Sequence, residues 1–439
     1  MISRLLFSRM DNSPLIIFRI FFGILISLES FGAILTGWVD RTLVEPDFTF
    51  TFIGFEWLQP LPGHGMYFYY ILMGLTGVMV TVGYRYRFSI IAFTLLWTGT
   101  YLMQKTSYNN HYYLLVLLSL LMCFFPAHRS HSLDCRRDPD LCSDQMYTGV
   151  KWVIIFQLFI VYTYAAIAKL YADWFDFTII AQLMESRKDF FIIGPVLQYP
   201  LIHKVIGVFG ILFDFLVIPL LLFKPTRKFA FFASIFFHLF NSIIFHIGIF
   251  PYLSLAFCVF FFEPETIRRI FFKHKAVPVL LPYAPPPYAP WIKGVMGVYF
   301  TFQLLLPIRH HVIPGDVLWT EEGHRMSWRM MLRSRSGNMQ FRVVDKATGA
   351  GELIRLNQWL TPKQKRKVQS HPDFAWQFAQ RLKKHYAAQG AEIGVYVVGN
   401  VRVNRRDPAP FIDPKTDLAA EPWDHFRHHT WILPSPYTK

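Results

Sequence analysis

The sequence predicts a polytopic α-helical membrane protein of about eight or nine spans, followed by a small α+β extracytoplasmic domain. Of 439 residues, 53% are hydrophobic, only 17% are charged and 45 are Phe. The mean hydropathy is +0.30, whereas a soluble chain of this size carries more charge. Long apolar segments recur up to residue 307 and then cease. We therefore expect a transmembrane helical domain at 1–307 and a C-terminal α+β domain at 308–439.

Nine apolar segments are long enough, or nearly long enough, to cross a bilayer. They lie at about 14–37, 66–83, 88–104, 112–126, 150–170, 204–223, 229–246, 248–263 and 291–307. Several are shorter than about twenty residues, so they would have to tilt, thin the bilayer or lie inside the bundle. The stretch 229–263 forms either a hairpin or one broken helix.

The net charge of +15 comes from Lys and Arg in short runs between the apolar segments. Such runs are typical of loops that face an anionic leaflet, so the predicted partner is the lipid bilayer and not nucleic acid. The basic runs alternate along the chain and lie at Arg4 and Arg9, 84–87, 127–142, 224–228 and 265–275. The positive-inside rule then predicts a cytoplasmic N-terminus, with 105–111, 171–203 and the C-terminal domain on the periplasmic or lumenal side.

Cysteine and histidine positions do not predict a metal site. Cys135 and Cys142 share the loop CRRDPDLC, which lacks the two-plus-two ligand pattern of zinc, so we interpret them as loop thiols. The histidines expected on the outer side, His111, His238 and His246, have no cluster of carboxylates or thiolates around them. We therefore expect no metal.

Beyond residue 308, the sequence predicts short strands and one amphipathic helix. "MQFRVVDKATGAGELIRL" is typical of two strands around a glycine-containing turn, and "IGVYVVGNVRV" of a further strand. Between them, Ser370 is a candidate N-cap, Phe374, Phe378 and Leu382 form a stripe, and Gly390 ends the helix. A region of roughly 120 residues is large enough for a modest core.

Polar side chains inside apolar segments are the candidate functional residues, because such groups are costly unless they face a cavity or a partner. They fall into four groups: Lys169 with Tyr162; Asn109, Asn110 and His111; His238, Asn241 and His246; and Arg19 with Glu29. Lys169 could instead extend its ammonium to the interface, and Asn241 and His246 could join helices. Arg19 and Glu29 lie too far apart along their helix to pair, so we interpret each as structural.

The orientation rule places Lys169, Asn110, His111 and the segment 238–250 in the same outer half of the membrane. A desolvated lysine loses its charge more readily, and a neutral lysine is a competent general base for a weakly acidic hydroxyl. Tyrosine, asparagine and histidine side chains could orient a planar, oxygen-bearing lipid such as a quinol. We therefore predict an enzyme site in which the polar stretch 105–111 forms the floor of a quinol pocket facing Lys169.

Several ordered motifs carry a resemblance to a known family. They are "LQPLPGHGMYFYYILMGLTGVMVTVGYRYRFS", "KTSYNNHYYLL", "FIVYTYAAIAKLYADW", "FHLFNSIIFHIGIFPY", "SWRMMLRSRS" and "PFIDPKTDL". In order and spacing, from about residue 50 to the 420s, the chain resembles the vitamin K-dependent gamma-glutamyl carboxylase family. It is most similar to the short, bacterial type of homologue with an HTTM domain, for which the outer face would be the periplasm.

The resemblance implies a membrane enzyme, a carbon–carbon lyase, whose catalytic domain is the helical part. Such an enzyme oxidises vitamin K hydroquinone, or a menaquinol-type quinone, with O2 to the epoxide. The strong base generated removes a γ-proton from a glutamate of a peptide or protein, and CO2 adds to the carbanion. Lys169 would be the base, with Asn110 and His111 also catalytic. The quinone would contact Tyr108, Tyr162, His238, Phe250, Met330 and Met331, and the substrate carboxylate would contact His310 and Arg335.

The chain also departs from the family pattern. Tyr108 replaces a tryptophan, and Arg329 replaces an acidic residue next to the methionines. We expect the large lumenal region that grips a propeptide to be missing, together with the disulfide that ties it to the membrane part in animal members. The quinol-oxidising half of the reaction is therefore expected to persist more fully than recognition of glutamate.

Two alternatives remain open at this stage. One is a quinone epoxidase-like enzyme that uses the same Lys169 and acts on a substrate other than glutamate. The other is a non-enzymatic membrane binding or transport protein on the same fold, since a fold alone does not fix a function. Substitution of Lys169 would impair the first and spare the second.

Overall fold

A computed structural model describes residues 2–437. Its first part is a helical bundle whose main helices follow the predicted apolar segments. They are α1 (Ser13–Leu35), α2 (Gly65–Val82), α3 (Tyr86–Met103), α4 (Asn110–Phe124), α5 (Thr148–Ile167), α6 (Pro200–Leu222), α7 (Arg227–Phe245), α8 (Phe250–Phe257) and α9 (Ala289–Ile308). Shorter helices are Ile2–Phe7, Leu133–Arg137, Ala172–Phe175, Thr178–Glu185, Pro264–Phe271 and Val317–Thr320.

Six of these helices are long and apolar enough to cross a membrane: α1, α2, α5, α6, α7 and α9. A seventh span is reached if α8 and the helix Pro264–Phe271, bent by 117° against each other, count as one. α4 is apolar but has only 15 residues. The fold is that of a polytopic helical membrane protein, but the predicted eight or nine spans are not confirmed.

α7 and α8 are two separate helices rather than one broken helix. The chain turns between them at His246 (φ 53°) and Gly248 (φ 57°), both in the left-handed region.

Within the bundle, α1 and α2 approach closely because glycines face the partner helix. A Cβ atom built on Gly77 would lie 2.6 Å from Ser27 Oγ, and one on Gly74 would lie 2.6 Å from the Phe31 ring.

Charged groups near the first helix tie neighbouring loops together. The Arg19 guanidinium donates to the carbonyl oxygens of Ala127 (2.8 Å) and His131 (2.7 Å), so its predicted structural role is confirmed.

Strand β1 (Arg9–Asp11) pairs antiparallel with β2 (Gln145–Tyr147). Cys135 and Cys142 form a disulfide, so the interpretation of these residues as loop thiols is wrong. Their Cα atoms are only 5.3 Å apart, a distance that favours the bond.

The C-terminal part contains two three-stranded sheets, with strand orders β3-β7-β8 and β5-β4-β6. The strands are β3 (Arg335–Gly337), β4 (Gln340–Asp345), β5 (Gly351–Leu353), β6 (Ile393–Val398), β7 (Asn400–Val403) and β8 (Ala409–Pro410). The predicted hairpin is confirmed, since β4 pairs antiparallel with β5. The predicted single strand near 393–403 is wrong, because Gly399 (φ 152°) divides it into strands of different sheets.

The predicted amphipathic helix is α10 (Pro372–Ala387), and a shorter helix, Pro362–Val368, precedes it. Its N-cap is His371 rather than the predicted Ser370. The predicted stripe of Phe374, Phe378 and Leu382 is buried, and the Phe378 ring packs edge-on against Phe341 of β4, with centroids 5.1 Å apart.

Polar contacts dock this region onto the helical bundle through the stretch 105–107. The Lys105 ammonium is buried and pairs with Asp373, which also accepts from Arg325 at 2.9 Å. Lys105 donates to Gln377 Oε1 at 2.5 Å as well. The prediction that the whole stretch 105–111 forms the floor of a quinol pocket is therefore wrong for its first residues, which bind the C-terminal domain.

The charge of Asp373 depends on this docking. Burial alone would raise the pKa of its carboxyl, but the Arg325 guanidinium and the Lys105 ammonium lower the pKa from 3.8 to about 2. A carboxyl with a lowered pKa stabilises the folded state above its unfolded pKa, and this contribution is lost as the pH falls through the folded value. The docking contribution is therefore full above about pH 4 and disappears toward about pH 2.

We predict that Asp373→Asn lowers the free energy of unfolding in detergent by about 3–5 kcal/mol at neutral pH, because it leaves a buried ammonium without its anion. The difference from wild type should shrink when the pH falls below about 4. Glu392→Gln, which removes an exposed partner of Lys346, is the matched control and should change the stability little. Equal stability of Asp373→Asn and wild type at pH 7 would contradict the prediction.

Candidate active site

A cavity of about 390 Å³ lies among α5, α6, α7 and α8. Its size falls within the range of about 300–1,000 Å³ that small-molecule sites occupy. Most of its wall is apolar, and the polar groups in it are few. The sequence-predicted site residues that line it are His111, Tyr162, Lys169, His238, Phe250, Met330 and Met331.

Lys169 follows the end of α5 and turns its side chain into the bundle. The ammonium pairs with the Asp214 carboxylate of α6, and it also donates to the carbonyl oxygen of Ala165 at 3.3 Å. It lies 5.3 Å from the centre of the Trp174 ring. The lysine side chain is only 9% exposed and the aspartate 6%, so Lys169 does not extend to the interface. The pair forms one wall of the cavity.

Asp214 is a site residue that was not predicted, although the sequence carries a signal for it. This aspartate lies in "GILFDFLVIP", in the middle of the strongly apolar helix α6. A carboxylate inside a spanning segment is costly unless a partner compensates it, so it marks a functional site with a cationic partner. Lys169 lies at the end of the apolar segment that precedes α6 in the chain, so it was a candidate for this cationic partner.

A second pair of polar side chains in the cavity comes from α5 and α7. The Tyr162 hydroxyl and His238 Nε2 are 3.0 Å apart and both are buried. His238 Nδ1 is also buried and has no hydrogen-bond partner among the described residues. A buried polar nitrogen without a partner is costly, so it is available to an oxygen atom of a bound molecule.

His111 and Phe250 close the cavity on the α4 and α8 side. Their rings stack with centroids 3.9 Å apart, and the Phe250 ring also contacts His238 edge-on at 6.0 Å. Asn241 of α7 lines the cavity too, and its amide donates to the carbonyl oxygen of Phe237 at 2.8 Å. Its side chain is therefore held within its own helix rather than between helices.

Met330 and Met331 enter the cavity from the C-terminal part of the chain. The segment that carries them is strained, because Met326 (φ 57°), Trp328 (φ 57°) and Met331 (φ 55°) are all in the left-handed region. Trp328 is fully buried and its ring lies 5.0 Å from that of Tyr113. The packing of Trp328 therefore holds the turn that directs Met330 and Met331 into the cavity. Methionine side chains are soft and polarisable, so they pack well against an aromatic ring.

Asn110 and Tyr108 do not line this cavity. The Tyr108 hydroxyl donates to Asn110 Oδ1 at 2.8 Å and accepts from the backbone N–H of Met326 at 2.6 Å. The Asn110 amide donates to the carbonyl oxygen of Arg329 at 3.1 Å. Both side chains therefore hold the segment that leads to the methionines, and neither lines the cavity beside Lys169.

Arg335 and His310 also lie outside the cavity. The Arg335 guanidinium donates to the carbonyl oxygens of Ser370 (2.6 Å), Leu318 (2.8 Å) and Trp319 (2.6 Å), and its side chain is 3% exposed. Strand β3 begins at Arg335 and carries it into the C-terminal core. His310 follows α9, donates from Nδ1 to the carbonyl oxygen of Pro307 (2.9 Å), and accepts at Nε2 from Arg329 at 3.3 Å.

The cavity combines an apolar wall with a few localised polar groups. No group of three or more His, Cys, Asp or Glu side chains that could hold a metal occurs among residues 2–437. The cavity instead combines apolar and aromatic walls with the unpartnered His238 nitrogen and the Lys169–Asp214 pair. An aromatic ring that carries two hydroxyls requires this combination of apolar surface and localised polar groups.

Comparison with known families agrees with this architecture. Residues 7–265 match the HTTM domain, so the helical part is a membrane domain of that class. Residues 288–438 match the lumenal domain of vitamin K-dependent gamma-carboxylase. The chain belongs to the vitamin K-dependent gamma-carboxylase family. No solved structure matches it. The expectation that the lumenal region is missing is corrected, since this part of the chain has a counterpart of the lumenal domain.

We predict that Asp214→Leu lowers the free energy of unfolding by about 3–5 kcal/mol, because Lys169 is left as a buried cation without its partner. The double substitution Lys169→Met with Asp214→Leu should restore the stability to the wild-type level or above, since it replaces the pair by apolar groups.

Unfolding in detergent measures both effects. Lys224→Met, which breaks an exposed pair with Glu263, is the control and should cost about 0–1 kcal/mol. A double variant that is no more stable than Asp214→Leu alone would show that the two side chains are not energetically coupled.

Proposed function

We propose that this protein is a vitamin K-dependent gamma-carboxylase-like enzyme whose quinol site is the cavity beside Lys169. The observation that carries the proposal is the buried Lys169–Asp214 pair in the wall of an otherwise apolar cavity. In the proposed reaction, the reduced naphthoquinone is oxidised by O2 to the epoxide, and the base so generated removes a γ-proton from glutamate, to which CO2 adds.

Lys169 is proposed to take the hydroxyl proton of the quinol. The pair with Asp214 is neutral as a whole, whether the shared proton lies on the amine or on the carboxyl. A proton that moves from Lys169 to Asp214 therefore leaves a neutral amine without creating a net charge in the cavity. Asp214 is the positioning residue that makes a general base of a lysine that would otherwise be a buried cation.

The second ring oxygen is proposed to face His238. Tyr162 holds the Nε2 atom of this imidazole at 3.0 Å, which leaves Nδ1 for the bound molecule. His111, stacked on Phe250, is proposed to border the ring opposite Lys169. The methionines and phenylalanines exclude water, which strengthens each polar contact in the site.

Carboxylation of a glutamate is the finer part of the proposal, and it is supported by the two family matches. A second candidate, a quinone epoxidase-like enzyme with a different acceptor, is favoured by one observation. The guanidinium of Arg335 donates to three backbone carbonyl groups and lies 3.6 Å from the Glu321 carboxylate, and the side chain is only 3% exposed, so it is enclosed in the C-terminal core away from the cavity beside Lys169.

We expect Lys169→Ala to reduce epoxide formation from chemically reduced vitamin K and O2 by about 10²–10⁴-fold, the usual contribution of a general base. Asp214→Asn should lower kcat by about 10²-fold with little change in KM, because it misplaces the amine and cannot accept its proton. Lys204→Ala, an exposed lysine of α6, is the matched control.

Purified protein in nanodiscs is the sample, and the epoxide is quantified by chromatography. Epoxide from wild type and from Lys204→Ala alone would support the proposal. Labelled bicarbonate and a glutamate peptide then test carboxylation in the same sample. Wild-type rates in Lys169→Ala would refute the role of the base, and the non-enzymatic alternative would lead if no variant, wild type included, forms epoxide.

We also propose that the C-terminal domain lies on the periplasmic or lumenal side and the N-terminus on the cytoplasmic side. The basic loops support this orientation, whereas the Cys135–Cys142 disulfide in one of those loops is more usual in an oxidising compartment. Labelling of introduced cysteines with a membrane-impermeant maleimide distinguishes this orientation from the reverse one, in which the C-terminal domain would be cytoplasmic.

In intact spheroplasts, Thr348→Cys in the turn between β4 and β5 should be labelled, because it is exposed and belongs to the outer domain. Lys224→Cys, in the loop between α6 and α7, should be labelled only after the membrane is opened. The reverse pattern would contradict the proposed orientation.

A further inference from the structure

A second cavity, of about 400 Å³, lies apart from the quinol cavity and contains Glu29 of α1. Glu29 precedes the end of α1 by six residues, which places its carboxylate about 9 Å from that end along the helix axis. Its Oε1 accepts from the Tyr112 hydroxyl at 2.7 Å. No basic side chain within residues 2–437 forms an ion pair with it. A carboxylate at membrane depth without a cation is costly, so this one requires a partner.

Aromatic rings surround this carboxylate. Three ring pairs line the cavity, and each pair meets at a large angle instead of stacking flat: Trp38 with Tyr70 (6.0 Å, 48°), Trp97 with Tyr112 (5.1 Å, 88°) and Tyr101 with Tyr108 (6.2 Å, 55°). The Tyr101 hydroxyl is buried and has no hydrogen-bond partner among the described residues. Angled aromatic walls around one carboxylate are the environment that binds organic ammonium groups.

The cavity opens toward the lipid-facing side of α1. Leu28 lines it and is 60% exposed. Gly32, one turn further along the same face, also lines it, and a Cβ atom built there would have no neighbour within 4 Å. Just beyond, the Arg41 guanidinium donates to the carbonyl oxygen of Thr36 at 3.0 Å, and Thr36 is itself a lining residue. A guanidinium therefore lies next to the Thr36 edge of the cavity, and the Glu29 carboxyl lies inside it.

We propose that this cavity binds the headgroup of a phospholipid that carries an ammonium group. The ammonium pairs with Glu29 between the aromatic rings, the phosphate contacts Arg41 at the mouth, and the acyl chains follow the exposed face of α1. The depth agrees with this arrangement, because amphipathic aromatic residues are enriched at the level of lipid headgroups. The site shares no lining residue with the cavity beside Lys169, and the proposal does not rest on the quinol chemistry.

The test is titration of the purified full-length protein in detergent with palmitoyl-oleoyl phosphatidylethanolamine or phosphatidylglycerol, read by native mass spectrometry. The two lipids share acyl chains and phosphate, and only the first carries an ammonium group. Wild type should prefer the ethanolamine lipid by about tenfold, which corresponds to ~1.4 kcal/mol.

Four variants sharpen this test. Glu29→Gln should abolish the preference by weakening only the ethanolamine lipid, whereas Arg41→Gln should weaken both lipids equally. Gly32→Leu should block both, and Gly294→Leu, at another spanning-helix glycine with no neighbour near its Cβ, should block neither. Equal affinity of wild type for the two lipids would overturn the proposal. So would an unchanged preference in Glu29→Gln, which would mean that this carboxyl is neutral and bound only to Tyr112.

Discussion

The ion pair between Lys169 and Asp214 is the interaction on which the site depends. Two opposite charges inside an apolar helical bundle add little net stability, because their desolvation offsets their attraction. An apolar pair would serve the bundle as well, so stability alone does not explain why these residues stand there. In the proposed reaction, the pair supplies an amine that takes a proton in an apolar cavity without adding a net charge to the pair itself. The other cavity groups, Tyr162 with His238 and His111 with Phe250, are arranged around it.

The C-terminal domain completes this cavity rather than lying beside it. Its link to the bundle begins with Lys105 and Asp373 and continues through Arg325 into the strained turn that carries Met330 and Met331. The polar stretch 105–111 thus has two tasks. Its first residues dock the C-terminal domain, and only His111 lines the cavity beside Lys169. Docking and cavity shape are therefore coupled through one short segment of chain.

Sequence alone predicts the helical class and most of the polar residues of the cavity, since residues such as Lys169 and His238 are conspicuous in apolar segments. It does not predict the span count, because helices such as α4 are too short to classify. Asp214 was missed although its apolar surroundings marked it. The position of Arg335 could not be foreseen, because left-handed residues at Trp328 and Met331 redirect the chain toward β3. The family resemblance indicates which motifs of this sequence hold candidate site residues, whereas three-dimensional packing decides which of those residues line the same cavity.

The central claim is that the quinol ring binds in the cavity formed by α5, α6, α7 and α8, beside Lys169. Its most direct test is an experimental structure of the protein prepared without oxygen in the presence of reduced vitamin K. We predict one ring hydroxyl within about 3 Å of Lys169 Nζ, the distance at which a general base takes a proton. The other ring oxygen should face His238. A ring bound elsewhere, with the space between Lys169 and His238 filled by protein side chains, would contradict this account.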